Sequence, residues 1–270
     1  MGRIGLNRRA KRLKNRPALL KTHATGLFEQ QIGFAPDLSV PRRLSERLCA
    51  LYLCAEDPLR TVLVCRSAQM ELLRARRLDQ WIPRTWASCA KYRDVHWKEL
   101  PETVLLKADH LPGEELLLDR TVKGWKRLAK RTIKRWMRTN AFELCPLPEY
   151  AAAKPHVCIE EAREGERLSV LCIGGEPRAM YWQDDLSCVL DGSGAALHGK
   201  NAAPPDCMPE ISALCREVSA DFPFMKLELL IGPGQPKCIG ISLFERSAFF
   251  KAIPRELDEE LGSMLKLPKN

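Results

Sequence analysis

Leu100-Pro101-Glu102-Thr103-Val104-Leu105-Leu106-Lys107-Ala108-Asp109-His110-Leu111-Pro112-Gly113-Glu114-Glu115-Leu116-Leu117-Leu118 is the stretch on which the reading of the fold turns. Leu100-Pro101-Glu102 forms a turn. Thr103 to Lys107 is a short apolar run ending on a cation, Ala108 to Gly113 is a loop, and Glu114 to Leu118 resumes as a strand. The pattern predicts a strand–loop–strand hairpin with a lysine at the mouth of its loop.

Working outward, Ser45 is a candidate N-cap for the helix SERLCALYLC, and Ala68 to Leu78 carries Met70, Leu73 and Leu78 at helical spacing. Gln80 to Pro83 reads as a short strand ending at proline. Val122 to Arg138 predicts an amphipathic helix. Trp125, Leu128, Ala129, Thr132, Ile133 and Trp136 form its apolar side, and eight Lys and Arg residues cover the rest. From Pro155 the pattern turns to strands. Val157 to Glu161 ends in paired acids, and Leu168–Ile173 and Pro177–Trp182 flank a Gly-Gly turn. Asp191 to Pro205 is a loop and Met208 to Ala220 a helix. Phe224–Ile231 and Lys237–Phe244 then pair around Gly232-Pro233-Gly234, and Pro254 to Leu265 is a closing helix with acids in its first turn. Antiparallel hairpins mixed with helices argue for α+β lobes.

A chain of 270 residues with 45% hydrophobic and 29% charged residues is long enough for one large domain or two small ones, and wholesale disorder is excluded. No run of about 20 apolar residues spans a membrane, and no apolar secretory core follows the basic start. The eleven cysteines are scattered singly with no C-x-x-C pair, which fits buried free thiols in a reducing, cytoplasmic setting rather than disulfides or zinc. Of the net charge of +9, eight units fall on residues 1–28, which hold no acid. Residues 1–33 therefore read as a basic, flexible arm, with peripheral contact to acidic lipid headgroups or nucleic acid as the sharper readings.

The co-linear order of these segments from about Phe34 to Leu267 resembles the TupA-like ATP-grasp family, associated with cell-surface polymer and polysaccharide biosynthesis. Pro36-Asp37-Leu38 with Pro41 and Glu46-Arg47-Leu48 is similar to the family's "pdl-nP-tfneKi", and Leu100 through Gly113 to its "LP-fVLK-nHgsG". Pro155 to Glu161 resembles "kPriiaEEy", and Cys172 to Pro177 "cFnGkpk". Asp221 to Glu228 resembles "dFpfvRVDlY", Gly240 to Phe244 "GElTfy", and Leu257 to Leu265 the closing "D-lG-ll-L".

The resemblance implies an α+β, two-lobed ATP-grasp-like fold with an N-terminal helical segment. Its expected parts are the arm (1–33), a helical and mixed segment (34–98), an N-lobe with hinge (99–162) and a C-lobe (163–270). It also implies ATP held between the lobes by Lys107, with His110 and Gly113 in the closing loop and Glu160 and Glu161 at the hinge. Glu228 stands as the carboxylate for Mg²⁺. The chemistry implied is ATP-dependent activation of a carboxylate for an unidentified acceptor.

Departures fall on the chemistry. Ile241 stands where the pattern has its second metal glutamate, and Arg167-Leu168-Ser169 replaces "DYK". Pro112, Glu114 and Glu115 bring a lost N–H and negative charge to the phosphate loop. A divergent ligase or transferase is the leading expectation. The alternatives are an inactive ATP-grasp pseudoenzyme serving as a binding module, and a basic nucleic-acid-binding protein built on the arm and the Trp125–Trp136 helix.

Overall fold

The computed structural model describes residues 3–54, 58–199, 203–243 and 254–268. In chain order the helices are α1 (Arg3–Lys14), α2 (Pro17–Ile32), α3 (Leu44–Cys54), α4 (Pro58–Val62), α5 (Arg66–Ala75), α6 (Trp125–Trp136), α7 (Pro148–Ala151), α8 (Met208–Ser219) and α9 (Arg255–Met264). The strands are β1 (Thr85–Cys89), β2 (Thr103–Ala108), β3 (Glu115–Asp119), β4 (Val157–Glu161), β5 (Glu166–Ile173), β6 (Glu176–Trp182), β7 (Val189–Leu190), β8 (Ala196–His198), β9 (Phe224–Ile231) and β10 (Lys237–Ser242).

Two antiparallel sheets result, one ordered β1-β4-β2-β3 and the other β10-β9-β5-β6-β7-β8. In the smaller sheet, Val104, Leu106, Val157 and Ile159 pack with Ala129, Ile133 and Trp136 of α6. The larger sheet is covered on both faces because its residues alternate between two apolar clusters. Leu168, Val170, Leu227 and Leu229 face α5 and α8, while Leu171, Ile173 and Phe224 face α3 and α9. α9 docks on α3 through Gly262, where a Cβ would sit 2.2 Å from the Arg42 carbonyl oxygen. Asp258 completes the contact by accepting the Ser45 N–H at 2.9 Å and the Ser45 hydroxyl at 2.7 Å. Ser45 therefore serves α9 rather than capping its own helix.

The structure corrects the reading of residues 1–33 as a flexible arm. α1 and α2 are helical, and Leu6, Ala10 and Leu13 recur on one side of α1 and pack with Phe142 and Ala151. Phe28 of α2 is fully buried in the core of the smaller sheet. The abundance of Lys and Arg masked this stripe, because the charges occupy the rest of the helix surface. Asp79–Trp81 is a 3₁₀ helix where a strand was expected, and Thr85–Cys89 forms the edge strand β1. Val189–Leu190 forms a short strand just before the expected loop, and Ala196–His198 forms another within it. Phe244 lies outside the described residues. The cysteines are free, most of them buried among apolar side chains. Among the described residues no helix is long and apolar enough to cross a membrane.

Candidate nucleotide cleft

β2 runs antiparallel between β4 and β3, and its register sets Lys107 opposite Glu115 on one side and Cys158 on the other. Lys107 is thereby carried to the end of the smaller sheet, where it lines a cleft facing the larger one. The next residues fix the opposite wall. Asp109 accepts the Ser67 N–H at 2.6 Å and the Ser67 hydroxyl at 2.9 Å, and its carbonyl accepts the Arg66 N–H at 3.1 Å. The first turn of α5 is thus held directly against the end of β2, and Arg66 enters the cleft beside Lys107.

Glu160 on β4 lies behind these cations. Arg66 donates to its carboxylate through Nε at 2.8 Å and Nη2 at 3.2 Å, and Lys107 Nζ lies 3.6 Å from Oε2. All three side chains are buried. Burial opposes the Glu160 charge, but Arg66 and then Lys107 outweigh it and hold the carboxyl below the ordinary glutamate value. For Lys107 burial, followed by the neighbouring Arg66 charge, prevails over Glu160 and Glu115 and lowers its value. Arg66 also reaches the Cys238 carbonyl on β10 at 3.4 Å, which ties the two sheets together, and its buried Nη1 finds no partner among the described residues.

The larger sheet contributes Arg167, Lys226 and Glu228. Lys226 Nζ is 3.3 Å from Glu228 Oε1. Arg167 on β5 crosses to Glu115 on β3, which also lies 3.8 Å from Lys107 Nζ. One carboxylate at the start of β3 is therefore shared by cations from both lobes.

The candidates read from sequence separate into two groups. Lys107, Gly113 and Glu228 line one cleft, with Glu160 immediately behind Lys107. His110 is not brought there. It is 1% exposed, its Nδ1 accepts the His156 N–H at 3.3 Å, and its Nε2 donates to the Trp136 carbonyl at 3.1 Å. Burial is the main cause holding the imidazole below its usual value. It is a neutral strut between β4 and α6. Glu161 points away from Glu160, as alternation along a strand requires, and is held by the Arg84 N–H and the Arg163 guanidinium at 2.9 Å each.

The loop expected to close over phosphate is folded on itself. Ala108 N–H bonds Glu114 O, Glu114 N–H bonds Leu111 O, and Leu111 is buried in the core. Gly113 at φ 72° permits this tight return.

Ile241 is also placed differently from expectation. Register pairs it with Leu227 and pairs Gly240 with Glu228, so the Ile241 side chain packs with Leu227, Leu229 and Cys238 although the residue also borders the cleft. Gly240 borders the cleft opposite Glu228, and a Cβ added there would sit 2.7 Å from Glu228 Oε2. The irregular register between Cys238 and Gly240 sets this phase, which no reading of a regular strand reveals. A glutamate at position 241 would have to leave this apolar packing to join Glu228 at a metal site.

Arg66 escaped the sequence reading. Its signal was an arginine opening a helix whose first turn holds no acid, where the macrodipole disfavours a cation. Such a placement points to a carboxylate supplied from elsewhere.

Among solved structures, the chain is similar to a RimK-domain ATP-grasp protein from Sphaerobacter thermophilus DSM 20745. The TM-score is 0.50 and the identity 15%, over 86% of this chain and 84% of that one. A D-alanine–D-alanine ligase from Bacillus anthracis gives a TM-score of 0.46 and 11% identity over 73% of this chain. The ATP-grasp ligase PsnB, complexed with a phosphomimetic precursor variant, Mg and ADP, gives 0.46 and 15% over 81% of this chain and 66% of that one. The chain spans 58% of the length of the D-alanine–D-alanine ligase. No protein-family model matches the chain, and no curated protein does so by sequence. The fold is the two-lobed α+β ATP-grasp fold.

Proposed function

We propose that the cleft binds ATP and that the chain is an ATP-dependent ligase or transferase that activates a carboxylate. The setting would be the surface-polymer biosynthesis implied by the TupA-like resemblance. The observation that carries the reading is the convergence of Arg66, Lys107, Arg167 and Lys226, from both lobes, on one cleft of an ATP-grasp fold. Cations so placed offset the charge of a triphosphate and of its transferring phosphoryl group. In the reaction a carboxylate oxygen of the substrate bonds to the γ-phosphorus and ADP departs. A nucleophile on the acceptor then attacks the acyl carbon and inorganic phosphate leaves.

The donor set does not fit a well-held Mg²⁺. Glu228 is the carboxylate that faces the cleft from β9, and it is already neutralised by Lys226, while its cross-strand partner Gly240 has no side chain. Among the described residues no cluster of three His, Cys, Asp or Glu side chains is placed to hold a metal. No step is assigned to the ion, and nucleotide binding is expected to persist in its absence. A second reading, a binding module without turnover, is favoured by Glu115, which occupies Lys107 and Arg167.

Calorimetric titration with ATP, with and without Mg²⁺, tests the proposal on the wild type, Lys107→Ala and Glu115→Gln. Wild-type heat that is lost in Lys107→Ala and strengthened in Glu115→Gln is expected. No heat in the wild type or in Glu115→Gln would overturn nucleotide binding. Formation of ADP with carboxylate and amine mixtures separates the ligase from the binding module.

A further inference from the structure

We infer that the outer face of α6 is a membrane-docking surface for a bilayer bearing anionic phospholipid headgroups. The inference is independent of the nucleotide cleft. α6 buries Ala129, Ile133 and Trp136 against the smaller sheet and carries no acid along its length. Lys126, Arg127, Lys130, Arg131 and Lys134 are left exposed, with no carboxylate partner among the described residues. Just beyond the helix, Asn140 donates to Asn7 Oδ1 at 2.8 Å, so α1, with its exposed Arg8 and Lys11, abuts the same end. A helix so charged gains from an anionic surface, about 1 kcal/mol for each basic residue close to it, which is about fivefold in affinity.

Charge alone does not distinguish lipid from nucleic acid; the apolar and aromatic neighbours do. Val122 and Leu128 are large apolar side chains exposed at 58% and 37% on the same helix and its approach. Tyr92, Trp97 and Trp125 cluster at its N-terminal end, with ring centroids 5.0 and 5.4 Å apart. Basic residues alternating with exposed apolar ones beside Trp and Tyr are what an interfacial helix needs. For single-stranded nucleic acid the rings would have to offer open faces on which bases stack. Here Tyr92 and Trp97 stack on each other, and Arg120 and Lys126 lie over the Trp125 ring at 5.2 and 5.6 Å. At least one face of each ring is therefore already engaged.

Sedimentation of the full chain with vesicles tests the assignment. The vesicles are phosphatidylcholine alone, or phosphatidylcholine mixed with phosphatidylglycerol. Binding to the mixed vesicles only is expected, weakening as salt rises. Combining Lys126→Gln, Arg127→Gln, Lys130→Gln and Lys134→Gln should lower partitioning on the order of several hundred-fold with the melting temperature unchanged. Leu128→Gln should lower the fraction that resists high salt. These side chains are exposed, so the variants fold, and a melt verifies it. Failure to sediment with phosphatidylglycerol vesicles, equal binding to both vesicle types, or full binding by the fourfold variant would overturn the proposal. Duplex DNA or single-stranded RNA bound as tightly as the anionic vesicles, and lost in the same variant, would replace it with a general polyanion face.

Discussion

Replacing Glu160 with glutamine keeps the shape of the side chain and removes its charge. The consequence follows from burial. Glu160 is 2% exposed, Arg66 7% and Lys107 8%, so two cations are left in a low-dielectric site facing a neutral amide. Breaking a buried ion pair from one side costs about 3–5 kcal/mol, several times the worth of an exposed pair. Lys107 keeps Glu115 at 3.8 Å, but that carboxylate is one-third exposed and already shared with Arg167. Glu160→Gln is therefore expected near the middle of that range, which for a chain of this size lowers the melting temperature by about 10 °C. Acid should reproduce the loss in the wild type. Because the folded-state value of Glu160 is lowered, its contribution is full above the ordinary carboxylate range and disappears as pH falls through the folded value. Urea titrations across acidic pH, followed by circular dichroism, measure both effects, and the variant should have a flatter profile in that window. The pair Arg66→Met with Glu160→Leu should recover much of the stability, since an apolar replacement leaves no stranded charge. A Glu160→Gln protein within about 1 kcal/mol of wild type would refute the reasoning.

Two further outcomes follow from packing. Phe28→Ala should destabilise the chain by about 3–5 kcal/mol in chemical denaturation, because the ring is fully buried; a flexible N-terminal segment would give no change. Ile241→Glu should lower the melting temperature sharply and add nothing to Mg²⁺-dependent nucleotide binding, because the side chain enters the face shared with Leu227; a calorimetric gain with Mg²⁺ would show the opposite orientation.

The β2–β3 hairpin, β4, the β5–β6 hairpin and the β9–β10 pair were legible because alternation and turn residues are local signals, and their order carried the fold. Lys107 was legible for the same reason, since a lone cation at the end of an apolar run needs a polar partner and marks the strand end where one is supplied. What could not be read depends on non-local pairing. His110 sits in the same loop as Lys107, yet its two nitrogens meet backbone groups 26 and 46 residues away. Arg66 meets Glu160 across 94 residues, and no spacing rule connects them. The phase of β10 hinges on a bulge near Ile239 that turns Ile241 inward and Gly240 toward Glu228. In α1, composition misled: counting lysines and arginines suggested solvent, while three small or aliphatic residues on one side were enough to dock it.

The two glutamates that face Lys107 differ in what they can do. Glu160 is locked by two arginine nitrogens and is almost inaccessible, so its displacement would leave both the acid and the guanidinium buried and unpaired. Glu115 is one-third exposed, where a pair is worth about 1 kcal/mol or less. Its neighbour Glu114 is anchored to the Trp136 indole at 2.5 Å and to Arg135 at 2.8 Å, so the backbone there is held while the Glu115 side chain has solvent to turn into. An arriving triphosphate can therefore take Lys107 and Arg167 by displacing Glu115 alone, without disturbing the Arg66–Glu160 scaffold. Glu115→Gln removes that competitor at small cost to stability, whereas Glu160→Gln removes the support of the cations themselves. Tighter ATP binding in the first variant and weaker binding in the second is the pattern this division of roles requires. Equal effects of the two substitutions would mean that Glu115 is as much a part of the scaffold as Glu160.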